Sequence, residues 1–341
     1  MRKLATIRRV SEILPIPGAD AIECAVIDGW KVVIQRGEYA VGDLVIYCEV
    51  DSWIPHELAP FLSRGNPPRE FNGVPGERLR TIKLRGQLSQ GLVLSMKALP
   101  DAVEGDDVSE LLGIQKWGPH VVEGNQRQGA VSNWPAEIPK TDEERIQNLT
   151  REWPALWQLC YEVTEKLEGS SMTVGKLHGE FIVCSRNVKL DREDGGNFWA
   201  VAIREDLEAK LQDFDNLVLQ GELIGPGIQG NYYDLPQHEF FVFGVYDIRD
   251  GFYLNPPERR GFCQSLGLSH VPVIDPSFCP VPVIYAPFTQ EVYPVADILM
   301  MADGKSLLNP SKPREGLVFK ENYGEQQHWK AVSNEYLLKE K

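Results

Sequence analysis

Between Leu4 and about Leu99, short apolar runs alternate with polar or turn-forming residues, the period-two pattern of half-buried strands. Ala21–Ile27 and Trp30–Ile34 flank Asp28-Gly29, a dipeptide that favours a two-residue hairpin. Val41-Gly42-Asp43 reads as a second turn leading into Leu44–Val50. Gly86–Gly91 reads as a third turn, between Thr81–Arg85 and Leu92–Met96. Short strands at this spacing predict a small closed barrel over residues 1–115. Ile54 to Pro75, with Asn66-Pro67-Pro68, reads as a long loop. Periodicity lapses after about residue 101, and 116–140 is expected to be a linker. A second domain is expected over 141–341. Lys140–Leu149 reads as a capped helix start, Thr141 being followed by Glu144, with Arg145 and Asn148 on one face. That face either meets a ligand or is simply exposed. Beyond it, strands alternate with helical patterns near 197–211 and 290–308, so the chain reads as α+β.

Length supports this division, because 341 residues exceed what one core usually organises. A composition of 43% apolar and 25% charged residues is that of an ordinary globular protein. The net charge of −14 argues against a strongly basic nucleic-acid coat, although it leaves room for a local basic groove. Arg78, Arg80, Lys83 and Arg85 form a modest basic alternation that either solvates a strand face or touches a nucleic-acid backbone. The six cysteines show no C-x-x-C pair, which predicts neither a zinc site nor a disulfide framework; Cys160 and Cys184 read as small core residues. No apolar run reaches membrane-spanning length and no signal region opens the chain. A soluble cytoplasmic protein without membrane partners is therefore expected, and it is expected to be a monomer.

The chemistry concentrates around Glu165-Lys166-Leu167-Glu168-Gly169, where a strand entered from Leu159–Val163 runs into a turn. Alone, K-x-x-G fits a surface lysine beside a turn as well as a nucleophile. It is followed in order by Ser185-Arg186-Asn187, Leu219–Gly225 containing Glu222, Phe240–Asp247 containing Phe243, Glu315–Lys320, and Trp329–Asn334 containing Lys330. This ordered series resembles the nucleotidyl motifs of ATP-dependent polynucleotide ligases, in the superfamily that also holds capping enzymes. With the β-rich segment ahead of it and the Ser333–Leu337 ending, it is similar to the RNA ligases of Deinococcus and Naegleria.

The resemblance implies an OB-like barrel followed by a nucleotidyltransferase domain. It also implies an enzyme that joins 3′-OH and 5′-phosphate ends through lysyl-AMP and an adenylylated 5′-end. Lys166 would be the nucleophile. Its amine must lose a proton to attack, so the site is expected to depress its pKa, with Lys320, Lys330, Arg186 and bound magnesium supplying positive field. Glu165 would meet the adenine amino group, and Phe243 would either stack on the base or pack in the core. Arg186 would hold the ribose or a phosphate, Lys320 and Lys330 the α-phosphate, and Arg145 would lie near the nucleotide. Glu168, Glu222 and Glu315 would serve magnesium, or manganese, and the ribose. ATP is the implied cosubstrate, and RNA ends or a nicked duplex with RNA on the 3′-OH side are the implied partners.

Two positions depart from the family pattern: Glu168 replaces the usual aspartate, and His328 replaces the first lysine of Lys-x-Lys. DNA ligases and capping enzymes carry their barrel after the nucleotidyl domain, so the barrel-first order favours RNA ligase over them. A nucleic-acid-binding protein without catalysis is the alternative from another class. Intact Lys166, Arg186, Glu222, Glu315, Lys320 and Lys330 argue against it.

Overall fold

The computed structural model describes residues 3–118, 130–280, 294–324 and 327–339. The chain divides into two compact units, Met1–Val121 with Ile146–Arg151 and Leu337–Lys341, and Val122–Arg145 with Glu152–Tyr336. Its strands far outnumber its helices among the described residues, in keeping with an α+β class.

In the first unit Leu44–Cys48 pairs antiparallel with both Ala5–Arg9 and Leu92–Ser95. Successive side chains of a strand point to opposite faces. Ile46 and Cys48 accordingly join a core with Ile7 and Ile54, while Val45 and Tyr47 join another with Trp30 and Val32. The strand is apolar on both sides for that reason. The hairpin at Asp28-Gly29 forms as expected, pairing Ile22–Ile27 with Trp30–Gln35. Asp28 takes the left-handed φ, whereas Gly29 is required by space: a Cβ there would lie 2.7 Å from Gln147 Cα.

Several local expectations are corrected. The Ile54–Pro75 stretch contains a short 3₁₀ turn at Pro60–Ser63 and the Arg69–Phe71 strand, paired with Val74–Arg78. Arg78 belongs to no open basic face, since it pairs with Asp51 at 2.7 Å and its guanidinium lies 3.7 Å from the Trp117 ring centroid. Lys140–Leu149 forms no helix. Glu144–Arg145 is instead a strand parallel to His328–Val332, followed by a 3₁₀ turn at Ile146–Asn148, because ladder hydrogen bonds from a distant strand outcompete a cap signal. Asn148 is consequently taken up in the first unit, accepting from Trp30 Nε1 and donating to Glu49, both at 2.7 Å. Around the expected linker, Gln115–Lys116 and Ala130–Asn133 are strands, and 119–129 lie outside the described residues. Cys160 is disulfide-bonded to Cys279, a pairing that cysteine spacing in the sequence does not reveal, whereas Cys184 is a buried free thiol.

The second unit holds two sheets. The larger runs Ala130–Asn133, Val188–Leu190, Glu180–Cys184, Ser170–Leu177, Leu217–Ile224, Glu239–Asp247, Phe252–Tyr253. One of its faces is backed by the Gly196–Arg204 helix through Met172, Val174, Leu219, Leu223, Phe240 and Val242. The smaller runs Glu144–Arg145, His328–Val332, Gly316–Glu321, Tyr161–Lys166, Val273–Phe278. Leu167–Gly169 carries the chain from one sheet to the other. Gly169 has no left-handed φ; a Cβ there would fall 2.6 Å from Leu223 O and 2.8 Å from Glu222 Cγ. Gly169→Ala must displace the strand that carries Glu222. We expect a loss of about 1–3 kcal/mol together with weakened nucleotide labelling, and an unchanged melting temperature would contradict the contact.

Candidate active site

Lys166 ends its strand, and alternation divides the residues around it between two faces. Lys166, Thr164 and Glu162 share a face with their cross-strand partners Gly316, Val318 and Lys320. The next pairings extend that face to Lys330 and His328 and then to Arg145. Four cations from strands far apart in sequence thus stand on one surface. The opposite face is core, where Phe319 and Trp329 stack at 3.8 Å and Tyr161 meets Trp329 edge-on.

Glu165 falls on that core side. Its Oε2 accepts the Leu307 N–H at 2.7 Å, and burial raises its pKa against the hydrogen bonds of Ser306 and Leu307. That bond anchors the backbone at 307 through one carboxylate oxygen, while Glu165 Oε1 is buried without a hydrogen-bond partner.

Lys166 Nζ donates to Glu315 Oε1 at 2.5 Å. Burial alone would lower the ammonium's pKa, but Glu315, Glu222 and Glu168 outweigh it and hold the pKa above its ordinary value. The depressed lysine expected from neighbouring cations is thus absent from the ligand-free protein, because three carboxylates are nearer. Glu222 and Glu168 respond in the opposite sense, each pushed up to about 8, first by burial and then by the other carboxylates. Lys166 pulls both back toward the charged form. Glu168 accepts the Tyr336 hydroxyl at 2.6 Å, and its own N–H donates to Tyr233 Oη at 2.6 Å. The longer side chain at the first departure from the family pattern is what Tyr336 holds.

Among the described residues no group of three or more His, Cys, Asp or Glu is arranged to hold a metal ion. Glu315, Glu222 and Glu168 all act on the Lys166 ammonium. Magnesium, however, usually takes one or two protein carboxylates and completes its shell with water and phosphate. Glu315 Oε2, buried without a hydrogen-bond partner, fits that more modest role.

Phe243 borders a cavity with Lys320, Arg259, Gln220 and His328. Its ring also packs against the apolar cluster of Leu167 and Phe241. Lys320 Nζ donates to the Phe243 carbonyl at 2.8 Å and lies 5.0 Å from its ring centroid. Burial, then Arg259, lowers the Lys320 pKa to about 7. Arg186 is half-exposed and pairs with Asp142 at 2.5 Å. The contacts of Tyr233, Tyr336 and Arg259 were not legible beforehand: no spacing rule points from a tyrosine or a helical arginine to the Glu168 N–H, the Glu168 carboxylate or the Glu162 carboxylate, 65, 168 and 97 residues away.

Comparison with known proteins agrees with this geometry. An OB-fold domain model matches residues 4–96, and an RNA ligase model matches residues 160–333. Among solved structures, a variant of Naegleria gruberi RNA ligase with ATP and Mn is 41% identical, covers 98% of this chain and 98% of its own, and has a TM-score of 0.89; a variant with AMP and Mn gives the same values. The Naegleria gruberi enzyme with pyrophosphate is 42% identical, with TM-score 0.88 and coverage of 99% and 98%. No curated protein sequence matches. The fold and the site define an OB-fold domain followed by a ligase domain. The chain belongs to the RNA ligase family.

The carboxylates predict a pH dependence. Glu168 and Glu222 have ordinary values of 4.5 and folded values of about 8. Between the two the folded protein keeps protons that the unfolded chain has released, so stability falls as pH rises through that window. Melting temperatures measured without divalent cations should decline there, and Glu222→Gln should flatten the decline. A wild-type profile rising with pH would contradict the assignment.

Proposed function

We propose that the protein is an ATP-dependent RNA ligase with Lys166 as nucleophile, carried above all by the Lys166–Glu315 contact within the family-matched domain. Lys166 Nζ attacks the α-phosphorus of ATP, an N–P bond forms, the P–O bond to pyrophosphate breaks, and Glu315 Oε1 is placed to take the amine's proton. The 5′-phosphate of RNA then displaces Lys166, and the 3′-hydroxyl attacks that phosphate with AMP leaving. Relatives holding ATP or AMP with Mn support the cosubstrate and a divalent ion. Glu315 and Glu222 would hold that ion, which would neutralise phosphate charge. Lys320, Lys330, Arg145 and Arg186 bind phosphate oxygens or ribose, and Phe243 offers its ring to the base. Glu168, held by Tyr336, shapes the field at Lys166.

RNA ends are the substrate class of this family. The finer assignment is a nick with ribose on its 3′-OH side, because the neighbouring 2′-OH is the group that separates RNA from DNA there. We place the enzyme in the cytoplasm as a monomer, where ATP and RNA ends meet. Among the described residues no helix is long and apolar enough to cross a membrane.

Two tests follow. With labelled ATP, magnesium and a denaturing gel, Lys166→Ala should take no label, and Lys166→Arg should fail as well because guanidinium stays protonated; label on either variant overturns the nucleophile. With pre-adenylylated nicks, a 3′-deoxyribonucleotide end should join far more slowly than a ribonucleotide end. Equal rates would refute the proposed strand choice.

A further inference from the structure

Beneath the phosphate-binding face lies a buried ionic group that the chemistry above does not use. Glu162, four positions before the nucleophile and fully buried, is paired with Arg259 and Arg260 of the Pro256–Leu266 helix. Arg259 is itself 2% exposed. Its Nε donates to His270 Nε2 at 3.0 Å, while His270 Nδ1 faces the Val271 carbonyl at 2.6 Å. The imidazole therefore carries its proton on Nδ1 and presents a lone pair to the guanidinium. Burial, then Arg259, drives the His270 pKa down to about 3, which leaves it a neutral acceptor.

Glu162 is also the residue directly opposite Lys320 across the ladder. Such partners have Cβ atoms about 5 Å apart, well within reach of an ion pair between a glutamate and a lysine. No such pair forms. Lys320 donates to a backbone carbonyl, makes no ion pair among the described residues, and borders the cavity together with Arg259. Glu143 is the carboxylate that acts on it from across the cavity.

We infer that Arg259 is a positioning residue for nucleotide binding, whose task is to withhold Glu162 from Lys320 so that Lys320 Nζ stays out of an ion pair and available to a phosphate. This deepens the ligase reading and rests on it. Arg259 supplies a competing partner that is planar, always charged and doubly anchored, which a lysine in that place would not be. Without it Glu162 keeps only Arg260, which is a third exposed and meets the other carboxylate oxygen, and the freed Oε1 is left buried on the face of Lys320, where pairing with that ammonium compensates it.

The test uses the full chain and two readouts: the ATP dependence of lysyl-AMP formation, and calorimetric binding of α,β-methylene-ATP, which cannot be cleaved. Arg259→Gln should raise the ATP KM and weaken analogue binding by about tenfold, the cost of one charge-assisted contact. The rate at saturating ATP should change much less, since ground-state and transition-state binding are lost together. Arg259→Gln/Glu162→Gln should restore both readouts to near wild type, because no carboxylate remains to capture Lys320. An Arg259→Gln protein that binds ATP normally, or a double variant no better than the single, overturns the inference. If Arg259→Gln does not fold, Glu162→Gln and the double variant decide it: both should bind the analogue as tightly as wild type, and a tenfold loss in either overturns the claim. A wild-type protein that neither takes label nor binds the analogue overturns the ligase reading instead.

Discussion

The ammonium of Lys166 sits among Glu315, Glu222 and Glu168, and most of the second unit serves to hold that arrangement. Each charge is costly to bury, and each is stabilised by the others. Glu315 precedes one strand, Glu222 lies within another sheet, and Glu168 occupies the crossing between the sheets. Removing any one of them changes the protonation of the rest, so the group titrates as a unit. In the ligand-free protein the balance favours a charged lysine. In the reaction proposed above, a divalent ion that engages these carboxylates would weaken their hold on the ammonium and so free the amine to attack.

Around this centre, charge is allotted by alternation along strands. One face of the smaller sheet carries Lys166, Lys320, Lys330 and Arg145, and the other carries the Tyr161, Phe319 and Trp329 rings. A slip of one residue in register would exchange these faces and bury the cations in the aromatic core. The rings thus protect the register, and the register places the cations. Glu162 is the exception, a buried anion on the cationic face, and its pairing with Arg259 and Arg260 keeps it from cancelling a neighbour.

The sequence by itself determined the ligase motifs, their order, the lysine proposed as nucleophile and the OB-fold domain ahead of the ligase domain. These depend on local signals: a lysine at the end of an apolar strand, glycines at close approaches, alternating apolar positions. Lys166, Lys320, Lys330 and Glu315 could be singled out because each sits within or beside an apolar strand-like run. Tertiary structure alone decided the rest. Lys140–Leu149 has a good cap signal yet becomes a strand, because its ladder partner lies nearly two hundred residues away at His328–Val332. Glu165 anchors the Leu307 N–H, 142 residues further along the chain. The Lys166 pKa, the Tyr336–Glu168 bond, the Cys160–Cys279 bridge and the Arg259–Glu162 pair all join residues remote in sequence. Long-range electrostatics and pairing depend on distance in space, and a linear pattern carries no record of that distance.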